Sequence, residues 1–132
     1  MIDYENEIFT EIATTLRATF DSIYVSGELN LVPATFPCVF IEEADNYSLS
    51  YTRDTSSNER HAILMYEVNV FSNKATGKKQ EAKQIFAVVD QVFDELGFTR
   101  QMKMPISFDE GTKYRLVGRY TAVANNDYIF RR

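Results

Sequence analysis

His61 and Cys38 are the single histidine and the single cysteine of this 132-residue chain. One imidazole cannot form a paired-histidine metal site, and no set of triad partners accompanies it. Placed where a strand begins, His61 reads as a structural or solvated residue. Cys38 needs a neighbouring base to become a nucleophile, and in the strand CVFIEE it reads as a small buried apolar residue. Glu42, Glu43 and Asp45 cluster, as do Asp109 and Glu110; paired carboxylates can hold a hard cation or do acid–base work. Adjacent strand residues point to opposite faces, however, so Glu42 and Glu43 cannot readily share a ligand, and a solvated strand end is the better account. The segment NKATGKK follows a strand and opens a helix, as phosphate-binding loops do. It lacks the first glycine, the full spacing and the Ser/Thr that would hold magnesium, so Gly77 reads as a helix-entry residue.

The elements that would position any site centre on His61–Gly97. His61–Phe71 alternates as a long strand, with Leu64, Tyr66, Val68 and Val70 on one face and Ile63, Met65, Glu67, Asn69 and Phe71 on the other. The strand is apolar on both faces at Ile63–Tyr66 and one-sided after that, which predicts that its first half is covered twice. Gln80–Leu96 is a helix with a stripe of Ala82, Ile85, Phe86, Val89, Val92, Phe93 and Leu96, stopped by Gly97. Before these, Asp3–Phe20 reads as a helix with Asp3 as N-cap and the stripe Ile8, Phe9, Ile12, Ala13, Leu16 and Phe20. A connector, 21–37, holds a short strand at Ile23–Val25. Cys38–Glu43 is an interior strand, and Tyr47–Arg53 a further one. Thr52–Arg60, nine polar residues in a row, reads as a mobile hairpin tip. Phe98–Met104 is a strand ended by Pro105, Asp109–Gly111 a turn, and Lys113–Ala124 the last strand. In that strand Tyr114, Leu116, Tyr120 and Ala122 share one face, and Lys113, Arg115, Val117 and Arg119 the other. Gly118 within it predicts a bulge or a close backbone approach. Tyr128–Arg132 is a short apolar-basic tail. The expected fold is α+β, one domain over residues 1–132, with two main helices on a mainly antiparallel sheet of four or more strands.

The second helix carries its charges against the macrodipole: Lys78, Lys79 and Lys83 at its N-terminal end, Asp90, Asp94 and Glu95 at its C-terminal end. The first helix has the favourable order, with Asp3, Glu5 and Glu7 early and Arg17 late. The reversed set, with Arg53, Asp54 and Arg60 of the polar tip, forms the group of candidate assembly contacts.

An apolar fraction of 45% and a charged fraction of 25% are ordinary for a globular chain of this length. A net charge of −5 argues against general nucleic-acid affinity, which needs a basic surface. A lone cysteine excludes an intrachain disulfide and fits a reducing compartment. The acidic start MIDYENEIF lacks the basic and apolar regions of a signal peptide. The longest apolar runs are five residues, Ala62–Tyr66 and Ile85–Val89, far from the roughly 18 that a membrane span needs.

Six stretches together resemble the tail terminator, or tail completion, proteins of long-tailed bacteriophages and prophages. They are YVSGE (Tyr24–Glu28), FPCVFIEEADNY (Phe36–Tyr47), YEVNVFSNKATGKKQEAK (Tyr66–Lys83), DELGF (Asp94–Phe98), YRLVGRYTA (Tyr114–Ala122) and the closing IFRR. They run in order over most of the chain, and no one of them is a diagnostic motif. The resemblance implies a small α+β structural subunit without catalytic residues or cofactor. It implies a homohexameric ring that caps the tail tube and joins it to the head, with the tube protein and the head–tail connector protein as partners. It also implies that a projecting hairpin such as 52–60 touches neighbouring rings. No membrane partner and no sequence-specific nucleic-acid partner are expected.

Two other functions compete. A nucleic-acid-binding module could track phosphates with Lys113, Arg115, Arg119, Arg131 and Arg132, although Tyr114 and Tyr120 lie on the opposite strand face. A small enzyme would need a constellation that is not visible.

Overall fold

The computed structural model describes residues 4–30, 33, 35–48, 62–106 and 113–124, with only the backbone for 46–48. Its elements are α1 (Glu5–Thr19), β1 (Tyr24–Ser26), β2 (Cys38–Ser48), β3 (Ala62–Ser72), α2 (Lys78–Glu95), β4 (Thr99–Ile106) and β5 (Tyr114–Ala124). The strands form a five-stranded sheet in the order β1-β2-β3-β5-β4. Only β1 and β2 run parallel; every other pairing is antiparallel. This is the expected α+β architecture. Arg53, Asp54, Arg60, His61, the polar tip 52–60, the turn 109–111 and the tail 128–132 lie outside the described residues. None of the described helices is long and apolar enough to cross a membrane.

Both helices lie on one face of the sheet and meet each other there. Ile8, Ile12 and Leu16 of α1 and Ile85, Phe86, Val89 and Phe93 of α2 are buried against Val39 and Ile41 of β2, Leu64, Tyr66, Val68 and Val70 of β3, and Leu116 and Tyr120 of β5. The period-2 alternation of the strands supplies the flat apolar face, and the helical stripes cover it. Aromatic rings fill the centre: Phe93 stacks on Tyr120 with centroids 4.1 Å apart, and Phe98 meets Phe93 and Tyr66 edge-on at 5.1 and 5.6 Å.

Several boundaries depart from the periodicity. The N-cap of α1 is Tyr4, with no side-chain cap bond, instead of Asp3. The short first strand is shifted by one residue, to Tyr24–Ser26. β2 does not end at Glu43, and Tyr47 does not begin a new strand. One extra residue, Ala44, sits between the pairs Glu43↔Tyr66 and Asp45↔Met65, and this bulge lets β2 continue to Ser48. α2 begins at Lys78, two residues early, with Gly77 at φ 89° as its N-cap. It ends as expected at left-handed Gly97, φ 95°, where the N–H of Phe98 bonds the Phe93 carbonyl at 2.9 Å. β4 runs through Pro105 to Ile106; it is an edge strand, where a missing N–H is tolerated.

The largest correction concerns β3. Its second half, not its first, is covered on both sides: Asn69 and Phe71 are buried while Ile63, Met65 and Glu67 are half-buried. A small second cluster accounts for this. Cys38, Phe40 and Phe71 pack on the helix-free face beneath Leu29 and Phe36 of the 27–37 connector.

Candidate assembly surfaces

No catalytic constellation forms among the described residues. Cys38 is fully buried, and burial pushes its thiol up to about 12, so it is held as an inert thiol. Glu42 pairs across the sheet with Glu67 and Glu43 with Tyr66, which places the two carboxylates on opposite faces, as their adjacency predicted. The Glu42 carboxylate accepts the Leu29 N–H at 3.0 Å, and the Glu43 N–H donates to Glu5 Oε2 at 3.2 Å. No three His, Cys, Asp or Glu side chains among the described residues converge on a metal position. The NKATGKK turn is no phosphate cradle either. Glu81, in the first turn of α2, accepts the Ser72 hydroxyl at 2.6 Å, so the helix N-terminus already has a carboxylate of its own.

The charged ends of α2 are both on the surface, but not equivalent. Lys79 and Lys83 are exposed and Lys78 half-buried; Asp94 and Glu95 are exposed and Asp90 half-buried. The last turn contains no basic residue. The compensating cation comes from β4: Arg100 Nη1 lies 3.3 Å from Asp90 Oδ1. The same oxygen accepts the Tyr120 hydroxyl at 3.0 Å. Burial, followed by the charge of Asp90 and this bond, raises the Tyr120 hydroxyl above its ordinary value, with Arg100 acting the other way. Asp90 is therefore committed inside the subunit. Glu95 takes a bond from Gln91 at 3.3 Å.

The helix-free face of the sheet is ordered in cross-strand rows. Tyr24, Cys38, Phe71, Arg115 and Ile106 form one row across all five strands, and Ser26, Phe40, Asn69, Val117 and Met104 the next. Glu42, Glu67, Arg119 and Met102 form a third. The basic positions of β5 have partners here. Arg119 Nε meets Glu67 Oε2 at 3.1 Å, and Arg115 donates twice to Asn69 Oδ1, at 2.8 and 2.6 Å. The Arg115 guanidinium also lies 5.4 Å over the Phe71 ring, and burial holds its pKa below the ordinary value. Lys113 lies 5.9 Å over Phe36. The strand face that the competing nucleic-acid reading would use carries an internal network.

The large apolar side chains exposed among the described residues are Tyr24 (47%), Met104 (48%) and Ile106 (36%). All three belong to the helix-free face, at its two opposite edges. β4 is inverted relative to the other strands: Met102, Met104 and Ile106 lie on the helix-free side, while Arg100 and Lys103 reach over the helix side, with Lys103 Nζ 5.0 Å from the Phe86 ring centre. None of these residues stands out in the sequence by its type. The alternation M-x-M-x-I is the signal in the sequence, and the extra residue Gln101 between Arg100 and Met102 turns it to the helix-free side. Beside Tyr24 lies a cavity of about 360 Å³, lined by Leu29, Pro33 and Phe40 among others.

No protein-family model matches the chain. No curated protein matches its sequence. Solved structures do match in shape. A chain of the virion of a native gene transfer agent particle superposes with a TM-score of 0.57 at 12% identity, over 89% of this chain and 91% of that one. A second solved chain superposes with a TM-score of 0.51 at 12% identity, over 93% and 96%. The sheath/tube terminator of an extracellular contractile injection system reaches 0.42 at 13% identity, over 97% of this chain and 60% of that one, too remote in shape to carry weight. The chain thus shares its fold, nearly end to end, with a subunit of a virion particle.

Proposed function

We propose that this chain is a structural virion protein of the tail terminator type. Identical subunits form a ring, a homohexamer on the tail, that caps the tail tube and joins tail to head. The observation that carries this reading is the fold shared over about nine-tenths of both chains with a subunit of a gene transfer agent virion. The tail-terminator resemblance of the sequence and the lack of a catalytic constellation among the described residues support the same conclusion. The partners are other copies of the chain, the tail tube protein and the head–tail connector protein, and neither catalysis nor a cofactor is part of the role. The protein acts at the head-proximal end of the tail in the virion, after assembly in the bacterial host cytoplasm. The assembly contacts are the charged ends of α2, Lys78, Lys79 and Lys83 at one end and Asp94 and Glu95 at the other, each meeting an opposite charge on a neighbouring subunit or on the tail, and Arg53, Asp54 and Arg60 reaching a neighbouring ring. A ring is built from head-to-tail contacts, so one patch meets a different patch, and segregated charge sets register more than it adds affinity.

Native mass measurement with and without tail tubes tests the reading. A hexamer on tubes is expected. A chain that stays monomeric on tubes, or does not bind them, sinks it. The nucleic-acid reading is disfavoured by the partners of Arg115 and Arg119, and a gel-shift at physiological salt is expected to show no retained nucleic acid.

A further inference from the structure

We infer that neighbouring subunits meet edge to edge through the sheet, with Met104 and Ile106 of β4 in one copy seated against Tyr24 and the cavity beside it in the next copy; this rests on the ring reading above. The two surfaces are different, as a head-to-tail contact requires. The β4 edge presents two exposed apolar side chains, Met104 and Ile106. The β1 edge is concave: Tyr24 borders a space of about 360 Å³ walled by Leu29, Pro33 and Phe40 and by the polar Glu28, Asn30 and Thr35. They also lie at one level. Tyr24 and Ile106 end the same cross-strand row, and Ser26 and Met104 end the next. A sideways step from copy to copy therefore brings the two edges together without sliding along the strands.

The charges on the helix side of the two edges are complementary. β4 carries Arg100 and Lys103 and no acidic residue. Beyond β1, Glu5 and Glu28 are exposed and line one depression of about 410 Å³. Lys103 of one copy thus faces Glu28 of the next, while Arg100 stays with its own Asp90. The contact is made by side chains and not by extension of the hydrogen-bonded sheet. β1 has three residues, Pro105 has no N–H to offer, and the extra residue Gln101 breaks the β4 ladder between Arg100 and Met102. Such features blunt an edge against indiscriminate pairing, and flexible methionine suits a surface that must fit a partner.

Oxidative cross-linking of a chain carrying both Tyr24→Cys and Ile106→Cys, the two ends of one cross-strand row, tests the contact, because Cys38 is buried and stays silent. Both substitutions are at exposed positions, and their thermal melts are compared with the parent. On tubes, the two-cysteine chain is expected to give a ladder of covalent multimers. Each single-cysteine chain is expected to stay monomeric, and their mixture to stop at dimers. A ring seen by native mass without any ladder overturns the contact and leaves the ring reading intact. Cross-linking of a single-cysteine chain to itself also overturns it, since that requires a two-fold contact. A parent chain that is monomeric on tubes overturns the ring reading and this contact with it. Independently, Lys103→Glu is expected to raise the concentration for half-assembly about tenfold or more at low salt, and the added Glu28→Lys to restore it; failure of the restoration counts against the pairing.

Discussion

The ring of Phe86 lies directly over Gly118: a Cβ built at residue 118 would stand 2.3 Å from Phe86 Cζ. Helix α2 and strand β5 can approach this closely only because position 118 has no side chain. Gly118→Ala is therefore expected to destabilise the fold by about 1–3 kcal/mol, the usual cost of overpacking. Added to a Phe86→Leu background, the same change should cost less. Denaturant titration of the four chains measures this coupling, and equal costs in both backgrounds would show that the two residues do not press on each other.

Phe93 stacks on Tyr120 and touches Phe98 and Tyr66, and is fully buried. Phe93→Ala is expected to cost about 3–5 kcal/mol. A loss below about 1 kcal/mol in urea would mean that this aromatic cluster is not the centre of the core.

Asp90 has two partners of unequal weight. The Arg100 pair is partly exposed on both sides, 44% and 39%, so Arg100→Ala should cost roughly 0.2–1 kcal/mol. Asp90→Ala leaves the buried Tyr120 hydroxyl without its acceptor and should cost about 1–3 kcal/mol. In the double variant Asp90→Ala/Tyr120→Phe part of that loss should return. A larger cost for Arg100→Ala than for Asp90→Ala in denaturant titration would reverse this ranking.

Stability should fall at alkaline pH. The Cys38 thiol is raised from 9.0 to about 12, and the Tyr120 hydroxyl is raised above 10.0. Above these unperturbed values the unfolded chain has released protons that the folded chain still binds, so the slope of stability with pH is negative. The Cys38 contribution is present below pH 9 and is lost between about 9 and 12. Cys38→Ala should flatten the decline in that window, whatever its effect at neutral pH. Urea midpoints from pH 8 to 11 report it; an unchanged slope would show that the thiol ionises as readily folded as unfolded.

Reversal of Lys78, Lys79 and Lys83 to Glu is expected to weaken assembly at low salt more than at moderate salt, because exposed charges are screened. Also reversing Asp94 and Glu95 to Lys, with Asp90 left in place for Tyr120, restores it if the two ends pair with each other and leaves it weak if they meet the tail. Mass and tail-joining activity that are unchanged at both salts would remove the α2 ends from the contact.

Both helices, the Gly97 stop, the close approach at Gly118 and the interior strand at Cys38 are legible in the chain alone, because each is local: a period of 3.6 or 2, a left-handed glycine, a run of β-branched residues. So is the lack of any spacing that would build a metal or nucleophile site. Other features depend on residues far apart in sequence. The doubly covered half of β3 is set by Leu29 and Phe36 lying over Phe71. The acidic end of α2 finds its cation in Arg100, ten positions on, and the basic face of β5 finds its acceptors in Glu67 and Asn69 of β3. The outward turn of Met104 and Ile106 follows from the extra residue Gln101, which shifts the register of β4 against β5. Strand order and register decide which side chains become neighbours, and periodicity along the chain carries no record of either.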